Sequence, residues 1–220
     1  MIPARHIFFL VDFFRYYIDF RIKGHFSRVV IHPPVPELTD KPLLIIGNHF
    51  SWWDGFFTLW LNNHLFHRRC YAMMLEEQLR KNRILNFIGA YSINPGSRDA
   101  IASIRYSRDI LLKGTDPSMP PAKRPLLLMF PQGSIQSMHA RYHHFKGGLE
   151  HIVNDLEGQI TVLMTIALTD YFSKPKPELH LYLKEYPFNK KLDIKDLEIV
   201  FNQFLEYARQ EKNLITNCLF

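Results

Sequence analysis

The residues of this chain with the clearest potential for chemistry are a histidine and an aspartate with four residues between them. Positions 48–54 read NHFSWWD, and they follow the apolar run LLIIG at 43–47. A continuous apolar run of this length is typical of a buried strand, and α/β proteins commonly carry reactive groups where such strands end. The pattern therefore predicts that His49 lies at the edge of a sheet.

The spacing of His49 and Asp54 suits general base catalysis. If the chain turns into a helix after the strand, the Asp54 carboxylate can fold back and accept a hydrogen bond from one ring nitrogen. That bond fixes the tautomer and leaves the other nitrogen basic, as an acyl-transfer base requires. The same spacing arises by chance in many proteins, so its meaning depends on the neighbouring segments.

Length and composition indicate one α/β domain with an ordinary core. The chain has 220 residues, 47% of them hydrophobic and 22% charged, with a formal net charge of +6. Anionic lipid, nucleic acid and an acidic carrier protein would all suit that charge. The basic residues are scattered and form no run of the kind that marks a nucleic-acid-binding tail, so we expect no nucleic-acid partner.

The cysteines and the hydropathy pattern bear on the compartment. Cys70 and Cys218 have no metal-like spacing, and they favour a reduced, cytoplasmic chain without a metal site. We see no signal peptide and no uninterrupted apolar stretch long enough for a transmembrane helix.

Residues 5–23 form an aromatic-rich segment that we predict to be helical. Helical spacing places five aromatic side chains on one broad face, with charged residues largely on another. The helix either packs on the core of its own domain or lies in a membrane interface with its aromatic side down. The five are Phe9, Phe13, Tyr16, Tyr17 and Phe20.

Strand and helix patterns alternate along the rest of the chain. Strands are predicted at 29–31, 43–47, 69–75, 126–130, 160–168 and 179–183, and helices at 52–65, 76–88, 98–113 and 192–212. Near-continuous apolar strands alternating with helices predict a mixed, largely parallel central sheet flanked by helices. We expect a single domain over 1–220, with an amphipathic N-terminal helix in 1–24 and a motif-bearing core at 40–170.

Three segments together resemble the glycerolipid acyltransferases, the lysophosphatidic acid acyltransferase family. The first is the NHxSxxD segment at 48–54, the second is FPQGS at 130–134, and the third is FKGG at 145–148. Their order and spacing, and the strand that precedes each of the first two, agree with that family. The resemblance covers roughly residues 40–170.

The resemblance implies a mechanism and a set of site residues. His49 takes the proton of an acceptor hydroxyl, Asp54 orients His49, and the hydroxyl oxygen attacks an acyl thioester without an acyl-enzyme. Backbone amides around Gly133 and Ser134 are the expected oxyanion donors. Ser51, Gln132 and Lys146 complete the expected substrate-binding residues, together with Arg98 and Arg141.

Departures from the family pattern concern the acceptor. The third block usually has a glutamate at the position of Gln132 and an arginine at that of Ile135, and the second block usually has an arginine at that of Pro95. In the family those arginines grip an acceptor phosphate, and Arg98 and Arg141 could replace them only from shifted positions. We therefore expect an acceptor with a free hydroxyl but no phosphomonoester, such as a glycolipid, a pigment glycoside or an amino-acid lipid.

Other candidate residues have two interpretations each. His139, His143 and His144 either line the acceptor pocket near His49 or, less in keeping with their loop, form part of a metal site. Trp52 and Trp53 either line an acyl-chain tunnel or pack in the core.

We predict a peripheral acyltransferase on the cytoplasmic face of the cell membrane. It has no cofactor and uses acyl carrier protein or coenzyme A thioester as co-substrate, with membrane lipids as further partners. The alternatives are an ordinary lysophosphatidic acid acyltransferase with a rebuilt phosphate site, and a non-catalytic lipid-binding relative.

Overall fold

The structure is a computed structural model that describes residues 1–37 and 40–217, with side chains up to residue 212. Within these residues, seven strands form one sheet flanked by six α-helices. In chain order the elements are α1 (Phe8–His25), β1 (Arg28–His32), β2 (Leu43–Gly47), α2 (Asp54–Leu61), β3 (Arg69–Leu75), α3 (Glu76–Lys81), β4 (Ala90–Ile93), α4 (Arg98–Gly114), β5 (Pro125–Met129), α5 (Leu149–Val153), β6 (Thr161–Asp170), β7 (Glu178–Tyr186) and α6 (Ile194–Asn217).

The sheet confirms the predicted mixed, largely parallel architecture. Its strand order is β1-β7-β6-β2-β5-β3-β4. Only the β6–β7 pair is antiparallel among the described strands, so β1 and β7 run against the other five. The carboxyl ends of β2, β3, β4, β5 and β6 therefore meet at one edge of the sheet, which we call the site edge.

The two faces of the sheet carry separate cores, because alternate residues of a strand point to opposite sides. On one face, Leu44 and Ile46 of β2 pack in a cluster with α4, α5 and α6. On the other face, Leu43 and Ile45 pack with α1 and α2. All five residues of β2 are buried, which explains why the strand reads as an unbroken apolar run.

Several element predictions needed correction. The helix predicted over 76–88 ends at Lys81, and a 3-10 turn covers Arg83–Phe87. The side chain of Asn86 holds this turn in place, because it donates to the carbonyls of Pro3 and Ala90 at 2.7 and 2.9 Å. The strand β4 and the short helix α5 were not predicted. The helix predicted over 52–65 ends as α2 at Leu61, and a π-helical turn continues it to Phe66.

The N-terminal helix both packs on the domain and exposes its aromatic face. Phe14, Ile18 and Ile22 of α1 are buried against the sheet. The five predicted aromatic residues are all exposed, from 39% for Tyr17 to 78% for Tyr16. No helix in the described ranges is long and apolar enough to cross a membrane. Cys70 is buried at the start of β3, and Cys218 lies outside the described residues.

Candidate active site

The predicted pair of His49 and Asp54 is formed in the loop between β2 and α2. The Nδ1 atom of His49 lies 2.8 Å from Oδ2 of Asp54, which is the first residue of α2. The same Oδ2 accepts the backbone N–H groups of Phe50 and Ser51 at 2.7 and 2.8 Å. With its proton on Nδ1, His49 donates to the carboxylate and keeps a lone pair on Nε2.

Burial and hydrogen bonding shift the pKa of Asp54 in opposite directions. The carboxylate is 2% exposed, and burial raises its pKa above the ordinary value, whereas the His49 and backbone donors work to lower it. The second oxygen, Oδ1, is buried and has no hydrogen-bond partner among the described residues. His49 is 22% exposed, and no described residue binds its Nε2. The partly exposed ring therefore has one nitrogen bound to Asp54 and the other unbonded among the described residues.

The ring of His49 is held by stacking as well as by hydrogen bonding. Phe130, the residue after β5, stacks on it with the ring centroids 4.3 Å apart and the planes 11° apart. Gly47 makes room for this arrangement, because a Cβ there would lie 3.1 Å from Phe130 Cε1 and 3.2 Å from Thr165 Oγ1. A glycine at the end of β2 is thus needed for close packing around the imidazole.

The loop that carries His49 is anchored on both sides. The side chain of Asn48 makes paired bonds to the backbone of β6: its Nδ2 donates to the Ala167 carbonyl at 2.9 Å, and its Oδ1 accepts the Ala167 N–H at 2.8 Å. The carbonyl of His49 accepts the backbone N–H of Gln136 at 2.9 Å. Asn48 therefore continues the β2–β6 ladder with a side chain while the backbone turns away into the site.

Gln132 lies beneath the loop that carries His49. It is 2% exposed, and its Oε1 accepts the backbone N–H of His49 at 2.7 Å. Its Nε2 lies 3.0 Å from Nδ1 of His143 and donates to Oε1 of Gln136 at 3.2 Å. Both ends of the amide are used within the protein. Its burial and these bonds favour a positioning role for Gln132, and the expected contact with an acceptor stays a prediction.

His143 is the one histidine of its loop that the fold connects to His49. It is 2% exposed, and Asn202 of α6 brackets its backbone, accepting its N–H at 2.7 Å and donating to its carbonyl at 2.9 Å. Burial lowers the pKa of His143, with a smaller contribution from Arg209. His139 and His144 are exposed and do not reach the site. In the described part of the chain, no group of three His, Cys, Asp or Glu residues could hold a metal ion.

The turn after β5 leaves only one of the two expected oxyanion amides without a hydrogen bond among the described residues. Gly133 has a φ of +67°, which favours glycine, and its N–H donates to the Phe130 carbonyl at 3.0 Å. That amide is therefore occupied. The Ser134 N–H has no acceptor among the described residues, and Ser134 is exposed on the site edge. Lys146 lies over the turn, since a Cβ on Gly133 would be 3.0 Å from its Nζ.

The remaining predicted site residues lie farther out or serve the local fold. Ser51 shapes the loop, because its N–H binds Asp54 and its Oγ accepts the Trp53 N–H at 3.1 Å. Arg98 is the exposed first residue of α4 and follows β4, three strand positions from β2. Arg141 is exposed in the loop between β5 and α5.

The tryptophans of the first block differ in exposure. Trp52 is 45% exposed beside the site, whereas Trp53 packs partly on the core and contacts the end of α1. Its ring lies 5.0 Å from that of His25 and 5.6 Å from the guanidinium carbon of Arg21. The carboxyl end of α1 is therefore adjacent to the catalytic loop.

Three residues that hold the site together were not predicted from the sequence. Asn48 and Phe130 lie inside the motif blocks, but their side-chain roles depend on contacts with β6 and with the ring of His49. Asn202 lies on α6, 59 residues from His143, and no signal in the sequence connects the two.

Comparison with known proteins agrees with this geometry. A model of the Acyltransferase family matches residues 25–168, about two thirds of the chain. A search of curated proteins found no match. Among solved structures, the fold is similar to that of the 1-acyl-sn-glycerophosphate (LPA) acyltransferase PlsC from Thermotoga maritima, with a TM-score of 0.62 and 14% identity over 91% of this chain and 79% of the other.

The two motif blocks that flank the site and the family match thus lead to the same conclusion, and the resemblance read from the motifs is confirmed. The His49–Asp54 loop and the turn after β5 both fall inside the matched residues. This chain belongs to the acyltransferase family.

Proposed function

We propose that this protein transfers a fatty acyl group from a thioester donor to a hydroxyl of a lipid acceptor. The observation that carries the proposal is the pair of His49 and Asp54 at the site edge, in which Nδ1 is bound to the carboxylate and the side chain of His49 is 22% exposed. A pair held in one tautomer and one orientation supplies a general base for hydroxyl attack.

The reaction balances without a covalent enzyme intermediate. Nε2 of His49 takes the hydroxyl proton as the acceptor oxygen attacks the thioester carbonyl, and Asp54 stabilises the imidazolium. The tetrahedral oxyanion then collapses, the carbon–sulfur bond breaks, and the leaving thiolate recovers the proton from His49. The products are an ester and a free thiol. The Ser134 N–H and the Lys146 ammonium are the groups near the turn after β5 that could stabilise the oxyanion.

The acceptor we infer has no phosphomonoester. The position of the family's third-block arginine holds Ile135, which is 49% exposed at the site edge, and that of the second-block arginine holds Pro95. An apolar side chain there cannot bind a phosphate dianion, and loss of a charged contact typically costs about 2–5 kcal/mol. A glycolipid, a pigment glycoside or an amino-acid lipid carries the required hydroxyl without that charge.

One observation favours an alternative acceptor. Lys146 lies over Gly133, so a cation is available close to the missing arginine of the third block. An ordinary lysophosphatidic acid acyltransferase could use Lys146, with help from Arg98 or Arg141, as a rebuilt phosphate site. Both acceptor classes keep His49 and Asp54 in the same roles. A non-catalytic lipid-binding relative remains the third candidate, and only an activity assay separates it from the other two.

The net charge of the chain bears on the acyl donor, and the exposed surface of α1 bears on where the protein is located. A net charge of +6 suits an acidic acyl carrier protein as well as coenzyme A thioester. Five large aromatic side chains are exposed along α1, and this face supports peripheral attachment to the cytoplasmic face of a membrane.

An acceptor panel tests the proposal. Purified wild-type protein, His49→Ala and the exposed control His139→Ala are given a labelled acyl thioester with either a glycolipid acceptor or lysophosphatidic acid. We expect wild type and His139→Ala to acylate the glycolipid and His49→Ala to lose at least 100-fold in rate, roughly the contribution of a general base. Turnover of lysophosphatidic acid alone would support the rebuilt phosphate site, and equal rates for all three proteins would contradict the catalytic role of His49.

A further inference from the structure

A cavity lies at the end of the sheet opposite His49. It has a volume of about 250 Å³ and sits between α1, the end of α2, the start of β3 and the turn Pro121–Lys123 before β5. None of its lining residues belongs to the catalytic loop or to the turn after β5. The proposed acyl transfer therefore leaves this cavity without a function.

The lining of the cavity is amphiphilic. Apolar side chains from α1 and α2 form one wall, among them Phe8, Val11, Ile18 and Leu59. Basic side chains form the rest of the lining. Among the described residues that line the cavity none is acidic. The basic residues are Arg15, Arg68, Arg69 and Lys123.

Nearby carboxylates offset only part of this charge. Asp12 pairs with Arg15 at 3.3 Å, and Asp40 interacts electrostatically with Arg68. Arg69 and Lys123 are exposed on the rim, and neither has a carboxylate partner among the described residues. The cavity therefore keeps a net positive potential that selects an anionic group.

Polar groups in the wall are organised for binding. The Asn62 side chain binds the backbone of Arg68 twice, at 2.8 Å in each direction, and so fixes the turn that carries the two arginines. The neighbouring Asn63 also lines the cavity, and its Nδ2 is buried without a hydrogen-bond partner among the described residues. A buried donor of this kind is costly unless a ligand accepts its hydrogen bond.

We propose that this cavity binds the headgroup phosphate of an anionic phospholipid in the bilayer. At about 250 Å³ it is smaller than most sites for whole drug-sized ligands, so it accommodates a headgroup and not a complete lipid. Phe8 and Arg15 line the cavity, and the exposed aromatic residues of α1 continue from it along the same helix. The acyl chains of the bound lipid then stay in the bilayer beside that face. The inference rests on the proposed docking of α1 at a membrane.

Vesicle binding tests the proposal with charge-changing and charge-neutral variants. Phosphatidylcholine vesicles with and without phosphatidylglycerol are mixed with wild type, with the rim pair Arg69→Gln/Lys123→Gln, and with Ala122→Phe, which fills the cavity mouth at an exposed position. The pair Arg105→Gln/Lys113→Gln on α4, across the sheet, is the charge-matched control.

We expect the rim pair to lower binding to the anionic vesicles by roughly 10- to 30-fold, since each basic residue near a membrane surface contributes about 1 kcal/mol. Ala122→Phe should also lower it, at least about fivefold, although its charge is unchanged. The control pair should bind like wild type, and no variant should change binding to pure phosphatidylcholine. An equal loss for the control pair, or no loss for Ala122→Phe, would overturn the proposal in favour of general charge attraction.

The failure of this proposal can be told apart from that of the proposed function. His49→Ala should bind both kinds of vesicle like wild type, because His49 lies at the other edge of the sheet. If wild type binds neither kind of vesicle, the docking of α1 is wrong and this inference is overturned with it, whatever the acyl-transfer assay gives. If wild type binds vesicles and the cavity variants bind them equally well, only the proposed headgroup site is wrong.

Discussion

At the scale of single residues, the site combines the buried carboxylate of Asp54 with the partly exposed imidazole of His49. Three donors converge on one oxygen of Asp54, which fixes His49 and closes the loop at the same time. The network continues through the backbone of His49 to Gln132 and then to His143. The glutamine adds no charge to this network, whereas a glutamate would place a second buried carboxylate beneath the pair of His49 and Asp54.

The substitution Asp54→Asn tests whether the Asp54 carboxylate contributes to the acyl-transfer rate. Because asparagine cannot stabilise the imidazolium as a carboxylate does, we expect the acyl-transfer rate to fall by roughly 100-fold or more. The control Asp109→Asn, at an exposed position on α4, should keep wild-type activity. A rate within threefold of wild type for Asp54→Asn would contradict the assigned role.

The stability of Asp54→Asn should depend on pH in a defined direction. The pKa of Asp54 is raised in the folded state, so the folded protein holds this proton more tightly than the unfolded chain does. Its contribution to stability therefore falls as pH rises from below the ordinary value of 3.8 through the folded-state pKa. In thermal melts across that window, the melting temperature of Asp54→Asn should rise relative to that of wild type as pH increases. A relative melting temperature that falls instead would mean that the hydrogen bonds to Asp54 affect its pKa more than its burial does.

Gln132→Met tests whether Gln132 positions the loop or contacts the acceptor. Methionine has a similar length but cannot accept the His49 N–H, so we expect kcat to fall about tenfold while the KM for the acceptor stays unchanged. The reverse outcome, a raised KM with an unchanged kcat, would restore the acceptor contact that the motif alone suggested.

At the scale of elements, the sheet was the most predictable part of the structure. Unbroken apolar runs such as LLIIG and LLLM belong to strands that are buried on both faces, and the sequence displays that burial directly. The strand β4 escaped because it has only four residues and lies at the edge of the sheet. The break after Lys81 was not predicted, and the 3-10 turn that follows it is tied by Asn86 to the carbonyl of Pro3, 83 residues away in sequence.

The site was predictable to the extent that it is local. His49 and Asp54 are close in sequence, and their hydrogen bond follows from a strand, a turn and a helix start. The positions of Gln132 and His143 under the loop depend on α6, whose Asn202 no motif connects to the site. The occupied Gly133 amide is a detail of turn geometry that a glycine in the sequence does not reveal.

The exposed aromatic face of α1 should drive binding to neutral vesicles. Phe9→Ser/Tyr16→Ser/Phe20→Ser removes three exposed rings, none of which packs on the core clusters, so we expect at least a tenfold loss of binding to phosphatidylcholine with an unchanged melting temperature. Removal of residues 1–24 would be a poorer test, because backbone bonds of residues 2–7 anchor the fold at 86–92. Tyr171→Ser, at an exposed aromatic outside α1, is the control. Wild-type binding by the triple variant would contradict an interfacial α1.

A buried histidine pair on β1 and β7 predicts sensitivity to acid. His32 Nε2 lies 2.8 Å from His180 Nδ1, and both rings are buried. Burial lowers both pKa values, that of His180 to about 4, so the folded state holds these rings neutral while the unfolded chain takes up protons. Stability from His180 is therefore present above its ordinary value of 6.5 and is lost as pH falls from there toward about 4, by up to roughly 3 kcal/mol.

Thermal melts between neutral and acidic pH check this expectation. His180→Phe removes the titrating group, so its melting temperature should fall less steeply with pH than that of wild type. His139→Phe, at an exposed histidine, should keep the wild-type slope. Identical slopes for all three proteins would show that the pair does not control acid sensitivity.

At the scale of the whole molecule, the proposed functions are divided between two edges of one sheet. The site edge carries His49, Ser134 and the exposed Trp52 and Ile135, and the opposite edge carries the basic cavity. The helix α1 connects them, because its start lines the cavity and its end contacts Trp53 beside the catalytic loop. A membrane bound along α1 would bring lipid acceptors to the mouth of the site.

The most direct test of acyl transfer by His49 is mass spectrometry of the total lipid extract from cells that carry wild-type protein or His49→Ala. We predict that an acylated lipid without a phosphomonoester disappears in the variant while the phospholipid pool stays unchanged. Loss of phosphatidic acid species would keep the catalytic pair and reject the inferred acceptor. Identical lipid extracts from both strains would contradict catalysis by His49.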